Sequence, residues 1–295
     1  MKRADFIKQL SLVAAGSAAL PYLPRLQDTP FELLRDNVGI FSLRGGTIGW
    51  LAASDATVVV DSQYEESVGQ FLEGVTAYNG GPETMLINSH HHGDHVSGNA
   101  AFQRAGYRII AHENVPALQR RGAENPDAVA AASETYRDEM SIPAGDETVE
   151  LAYYGNAHTA GDSVTWFLNA NIAHMGDLVF NRLYPFIDRN GGASIQGWIS
   201  LLETVASEAD TETLFIFGHG NPQYGVTGTR EDLLYKRDFL SHLLSYTQRR
   251  IQAGASREEI IQTQSFDEFP DVISPSDFLS LPRNLDVAYR ELTES

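Results

Sequence analysis

The 295-residue sequence contains no cysteine. That absence excludes a disulfide framework, a thiolate zinc knuckle and a cysteine nucleophile, so any metal must be held by imidazole and carboxylate. Positive charge is scarce as well: 21 Lys and Arg stand against 39 Asp and Glu, for a formal net charge of −18. Such a field repels phosphate backbones and anionic membrane surfaces, so nucleic acid is not an expected partner, and the plain reading is a well-solvated surface. Low-complexity runs are missing, and so is any apolar stretch approaching the roughly 20 residues that a membrane span needs. What is present, 42% apolar and 10% aromatic residues, is enough for a large core. One globular domain over residues 23–295, with helical additions from about 228, is the expected organisation.

The first 22 residues read as an export signal. Lys2, Arg3 and Lys8 precede an apolar stretch over residues 10–20, which Pro21 and Pro24 end. The start is similar to a twin-arginine leader, with Ala4 where the second arginine would stand and no small-x-small cleavage site after it. Segregation of charge from apolarity favours this over a packed amphipathic helix. The expected location is therefore outside the cytoplasm, in the periplasm, with no stable membrane insertion once the leader is removed.

Residues 31–60 are β-rich, and Ala56-Thr57-Val58-Val59-Val60 reads as a buried strand ending at Asp61. Val68, Phe71, Leu72, Val75 and Tyr78 follow helical spacing, Gly80-Gly81 stop that helix, and Met85-Leu86-Ile87 forms the next buried strand. A short helix at 100–102, a strand at 107–111 and a polar helix over about 115–136 follow. Strands are expected again at 149–154, 163–168, 172–175 and 214–217, interrupted by a helix whose inward face is Ile195, Trp198, Ile199, Leu202 and Val205. The chain closes on amphipathic helices around Leu233 to Leu244, from Ser256, and through Leu285 and Leu292.

Directly after the strand at 85–87 comes Asn88-Ser89-His90-His91-His92-Gly93-Asp94-His95. In extended chain, residues two apart point the same way, so His90 and His92 can grip one ion from one side while His91 points elsewhere. Gly93 permits a sharp turn, after which Asp94 and His95 face a second position. Three further strand-end turns carry Gly155-Asn156-Ala157-His158, Gly176-Asp177 and Gly218-His219-Gly220. Each is weak evidence alone; a histidine beside a glycine is usually structural. His112, His174 and His242 are read that way. Asp61, Thr159 and Asp162 are candidates to fix a ligand imidazole from behind, with a plain strand-end turn equally good for Asp61.

In this order the residues resemble the metallo-β-lactamase superfamily, whose pattern is His-x-His-x-Asp-His, a distant His, an Asp or Cys, and a final His. The resemblance covers about residues 31–225 and implies an α+β four-layer αββα sandwich with the site at one edge. It further implies that His90, His92 and His158 bind a first ion, that Asp94, His95 and His219 bind a second, and that Asp177 bridges them. An imidazole and carboxylate set without thiolate suits two Zn2+ ions, though iron or manganese would also fit. Two ions about 3.5–4 Å apart lower the pKa of a shared water toward about 7 and supply a hydroxide nucleophile. Asp94 is the candidate catalytic carboxylate, orienting that hydroxide and passing its proton to the leaving group.

The expected activity is hydrolysis of a small-molecule ester, thioester, lactone or cyclic amide. Many β-lactamases of this fold carry cysteine where Asp177 stands and, three residues on, a lysine that grips the substrate carboxylate; here that place is Phe180, with Arg182 nearby as a substitute. A bridging aspartate resembles glyoxalase II, lactonases and thioesterases instead. The C-terminal region is mixed in charge rather than basic, which argues against a glutathione thioester. The loop Leu183-Tyr184-Pro185-Phe186-Ile187 offers an apolar wall, which core packing explains equally well. Two other classes stay open: a mononuclear iron oxidoreductase similar to persulfide dioxygenases, and a periplasmic metal-binding protein without turnover. A flavin-dependent diiron reductase is excluded because no flavodoxin-like domain fits in this length.

Overall fold

A computed structural model describes residues 30–121 and 123–294; the export signal read at 1–22 lies outside the described residues. The first half builds β1 (Phe31–Arg35), β2 (Val38–Phe41), β3 (Ile48–Ala52), β4 (Ala56–Val60), α1 (Glu65–Val75), β5 (Glu83–Asn88), α2 (Gly93–Val96), α3 (Asn99–Arg104), β6 (Arg108–His112), α4 (Val115–Arg121) and β7 (Glu134–Tyr136). The second half adds β8 (Glu139–Ala144), β9 (Glu147–Ala152), β10 (Val164–Phe167), β11 (Ile172–His174), β12 (Phe180–Asn181), α5 (Ile195–Glu208), β13 (Leu214–Ile216), β14 (His219–Gly220) and β15 (Thr227–Gly228). Three helices follow: α6 (Arg230–Gln252), α7 (Arg257–Ile260) and α8 (Leu281–Thr293).

Side-chain alternation along the strands assembles these into four layers. In the seven-stranded sheet β1-β2-β3-β4-β5-β6-β7, Val58, Val60, Met85 and Ile87 point to one face, where they meet Val149, Leu151, Phe167, Ile172 and Ile216 of the six-stranded sheet β15-β13-β11-β10-β9-β8. The intervening Trp50, Val59 and Leu86 point the other way, onto Phe71 of α1 and Phe102 of α3. The outer face of the second sheet, with Trp166, Ala173 and Phe215, is covered by Trp198, Leu202 and Val205 of α5 and by Leu240 and Leu243 of α6. The result is the expected αββα sandwich. Period-2 alternation in strands buried on both faces is what fixes each register, since a one-residue slip would exchange the two cores. Trp198, fully buried with its indole N–H donating to the Leu178 carbonyl at 2.9 Å, is a main anchor of the outer layer; truncating such a side chain to alanine costs about 3–5 kcal/mol.

One expectation fails and one strand went unread. The helix placed over 115–136 ends at Arg121, and residues 134–136 pair in parallel with β6 instead. Pro126 opens a separate 3-10 turn, and an unfilled edge beside β6 overrides the helical propensity of the alanines at 128, 130, 131 and 132. β8 was not foreseen; it is an edge strand carrying Pro143, a residue that edges tolerate and that weakens a strand signal.

What matters for function is direction. β4, β5 and β6 run in parallel, as do β11 and β13, so Asp61, His90, Asp177 and His219 all follow the carboxyl ends of strands. Crevices outside strand carboxyl ends are where open α/β sheets bind ligands. No helix among the described residues is long and apolar enough to cross a membrane.

Candidate metal centre

All seven residues picked from the sequence converge at that edge, in two groups that share a wall. His90, His92, His158 and Asp177 form the first, with Asp94, His95 and His219 beside it. His92 Nδ1 lies 3.1 Å from His90 Nε2 and 3.0 Å from His158 Nε2. Asp177 Oδ2 stands 3.8 Å from His90 Nε2 and 3.7 Å from His158 Nε2. Its other oxygen, Oδ1, is 3.0 Å from His95 Nε2 and 3.4 Å from His219 Nε2, and Asp94 Oδ2 is 2.9 Å from His219 Nε2. Asp177 thus straddles both groups.

The far side of four of the five rings assigns a proton. His90 Nδ1 meets Ser89 Oγ at 3.0 Å, and that hydroxyl donates onward to Asp61 Oδ2 at 2.7 Å. His92 Nε2 donates to Asp188 Oδ2 at 3.0 Å, His158 Nδ1 to the Phe186 carbonyl at 2.8 Å, and His95 Nδ1 to Asp61 Oδ2 at 2.6 Å. Each acceptor takes the ring N–H, so the nitrogens facing inward carry lone pairs. The His92 lone pair, at 3.1 Å from that of His90 and 3.0 Å from that of His158, is repelled by both unless a cation sits among them; ligands at about 2.0–2.1 Å from a tetrahedral ion stand roughly 3.3 Å apart. Asp177 Oδ1, buried without a geometrically sound hydrogen bond, makes the same demand. The donor set therefore fits divalent ions in both groups, and the acceptors behind it are the kind that orient metal-ligating imidazoles.

The electrostatics agree. Burial, and after it the neighbouring histidines, hold His90 well below the usual imidazole range, and burial pulls His158 down to about 3. Burial would lower His95 too, but Asp177, Asp61 and Asp94 outweigh it and raise that imidazole well above its ordinary value. Those three carboxylates are the negative charge that a cation in this second group would meet. Burial alone would raise Asp94; His95 and His219 reverse that, keeping its carboxyl below the usual range and ionised. It is also the more accessible carboxylate, with 26% of its side chain exposed against 4% for Asp177.

The expectations about neighbours are met unevenly. Asp61 does hold an imidazole from behind, that of His95, while its other oxygen accepts the Ser89 backbone N–H at 2.8 Å. Its backbone sits in the left-handed region at φ 67°, a conformation costly for a non-glycine residue and kept by these bonds. Asp162 and Thr159 bond each other and the backbone of the His158 loop, and neither touches an imidazole. Arg182 is no substitute for the missing lysine: it pairs with Asp232 at 3.0 Å and stacks 3.7 Å from the Tyr235 ring, away from the centre. Phe180 stacks against His219, with ring centroids 5.3 Å apart. In the 183–187 loop, Leu183, Tyr184 and Ile187 are core; only Phe186 turns to the centre, 5.2 Å from the His92 ring, with the half-exposed Phe278 stacked on it at 4.8 Å. His91 stays outside the cluster, its Nε2 3.3 Å from Asp188. His174 donates to the Thr47 carbonyl, and His112 stacks on Tyr153.

Asp188, Ser89 and the Phe186 carbonyl were not foreseen. Burial would raise the Asp188 carboxyl, but His91, His92 and the Gly191 N–H hold it far below its usual range. Its one sequence signal is a turn-forming run, Asp188-Arg189-Asn190-Gly191-Gly192.

Residues 42–219 match the family model of the metallo-beta-lactamase superfamily, and the chain belongs to that family. Among curated proteins it is 22% identical over 205 residues to a type 2 metallo-beta-lactamase from Elizabethkingia meningoseptica, covering 65% of this chain and 80% of the other. It is 29% identical over 185 residues to a hydroxyacylglutathione hydrolase from Rhodospirillum rubrum, covering 59% of this chain and 61% of that one. Among solved structures, the inverting sec-alkylsulfatase Pisa1 from Pseudomonas superposes with a TM-score of 0.66 at 14% identity, covering 90% of this chain; the chain spans half the length of that enzyme.

Proposed function

We propose that the protein is a dinuclear zinc hydrolase of small molecules, opening an ester, thioester, lactone or cyclic amide. The observation that carries this reading is Asp177 set between two groups, one oxygen toward each, with outward ring-proton partners on His90, His92, His95 and His158. When bound, a pair of divalent ions supplies Lewis-acid polarisation of a carbonyl and a water acidic enough to be deprotonated near neutral pH. The chain's own work is orientation and proton handling. Asp94, ionised, partly exposed and fixed by His219, orients the attacking water and carries its proton to the leaving group. Phe186 and Phe278 exclude water from one side. Beside His92 a cavity of about 580 Å³, walled by Val96, Ala100, Leu118 and Val129 with Arg121 among its polar residues, has room for an apolar substituent.

With Phe180 in the lysine's place and Arg182 turned away, no cation of this loop faces the centre, which favours lactones, esters and thioesters over carboxylate-bearing β-lactams. The second group of Asp94, His95 and His219 favours two ions over a single iron held by two histidines and an aspartate. The test is metal analysis of purified protein, followed by turnover of a chromogenic cephalosporin, an aryl ester, a thioester and a lactone, each with an Asp94→Asn control. Two equivalents of zinc and Asp94-dependent cleavage of any of the four support the reading. One equivalent of iron, or no turnover on all four, overturns it.

A further inference from the structure

The segment matched to the family ends at residue 219, and three helices follow it. Two of them reach back to the loop that holds His158. That loop runs from β12 to Asp188, and the carbonyls of Leu183, Pro185 and Phe186 in it each accept from a side chain outside it. Lys236 of α6, buried, donates Nζ to the Leu183 carbonyl at 2.8 Å. Asn284 of α8, also buried, donates Nδ2 to the Pro185 carbonyl at 2.7 Å. Between them Tyr184 N–H bonds the Ile273 carbonyl at 3.1 Å, and Ile273 N–H bonds the Arg182 carbonyl at 3.1 Å. The next carbonyl along, that of Phe186, is the one His158 Nδ1 donates to.

The same helix α8 grips a second element of the site. Glu291 accepts the first two free N–H groups of α5, from Ile195 at 2.8 Å and Gln196 at 3.0 Å. A carboxylate on a helix N-terminus is a strong, charge-assisted cap. Just before it, Ser194 N–H bonds the Ala157 carbonyl, one residue ahead of His158. His158 is thus approached from both sides of its loop by elements that the C-terminal helices fix.

We infer that α6 and α8 are a positioning frame for His158, with Lys236 and Asn284 as positioning residues that set the Phe186 carbonyl and, through it, the tautomer and aim of the imidazole. The part of this inference that concerns an ion rests on the two-metal reading; the part that concerns the ring does not. Loosening the frame frees the His158 ring first and weakens the His90, His92 and His158 group while leaving Asp94, His95 and His219 as they are.

Two readouts test it, neither of them activity. In metal-free protein, the His158 Nδ1–H proton, identified by its loss in His158→Asn, is expected to exchange slowly with solvent, and faster in Asn284→Leu and Lys236→Met. In cobalt-titrated protein, the same variants should weaken one of the two ions by about tenfold, the lower end for groups behind a ligand, with the other unmoved. Asn284→Leu preserves shape and removes a side chain whose Oδ1 is already unpartnered, so it is the variant most certain to fold and carries the test if Lys236→Met does not. Leu243→Ala, a cavity in α6 away from the loop carbonyls, is the stability control. Unchanged exchange and affinity in Asn284→Leu, equal loosening of both ions, or an equal effect of Leu243→Ala overturns the inference. Faster ring exchange in a protein that takes up fewer than two ions leaves the frame standing and removes the two-metal reading.

Discussion

Asp61 Oδ2 stands 2.6 Å behind His95, and the same oxygen receives the Ser89 hydroxyl that backs His90, so one buried carboxylate steadies a ring in each metal group. Replacing it with asparagine leaves a single oxygen for three donors. Asp61→Asn should lower affinity for both ions, by about 10–100-fold where the ligand is held directly. Competition with a chromophoric chelator measures this; unchanged affinity for the His95 ion would sink the argument.

Asp94 offers a sharper separation of roles. Asn at that position keeps an oxygen for the second ion and loses the proton acceptor. Asp94→Asn should retain metal and lose about 10²–10⁴-fold in kcat, the usual worth of a general base. Loss of metal in step with activity would make Asp94 a ligand only.

Gly218 packs against the carboxylate between the groups. A Cβ there would overlap Asp177 Oδ1, with the Gly176 backbone preventing escape on the other side. Gly218→Ala is therefore expected to fold, since its backbone is not in the left-handed region, yet to bind fewer than two ions. Metal analysis of the folded variant decides it.

Chelation should destabilise the protein, because an ion that binds only the folded state contributes RT ln(1 + [L]/Kd), about 4 kcal/mol at a thousandfold excess over Kd. For a chain of this size that is a Tm loss of about 10 °C. Calorimetry with and without chelator reads it; an unmoved Tm would mean that the ions are not held.

Lys236 gives the pH dependence. Burial first, and the nearby Arg182 second, pull its pKa down to about 7, against about 10.4 in an unfolded chain. Between those values the unfolded chain binds more protons, so this group makes native stability rise with pH from about 7 to 10, and the effect levels off below 7, where both states are protonated. Lys236→Met should flatten that slope by up to about 1.4 kcal/mol per pH unit; denaturant titrations at pH 7 and 9 would show it, and an unaltered slope would refute it.

The candidate ligands were readable because chemistry and local geometry coincide in them: His90 and His92 stand two apart just past the end of β5, and Asp177 and His219 follow short buried strands that announce themselves by composition. The acceptors behind the rings were harder. Asp188 lies 96 residues from His92, and nothing in its own turn says which ring it will meet. The Phe186 carbonyl carries no residue identity at all. Arg182 misled for a related reason: proximity along the chain put it near the centre, but Asp232 and Tyr235, on α6, turn it away. The helix expected at 115–136 failed where an open sheet edge, invisible locally, claimed residues 134–136.

Candidate ligands drawn from His90 to His219, in segments that follow strands of both large sheets, also impose an order in time. During synthesis the first histidine cluster emerges long before Asp177 and His219 exist to close the site, and the second sheet must pair before they reach it. Selective metal capture is then a late event. On the two-metal reading, which ion the protein carries is then decided by the metals available where folding is completed.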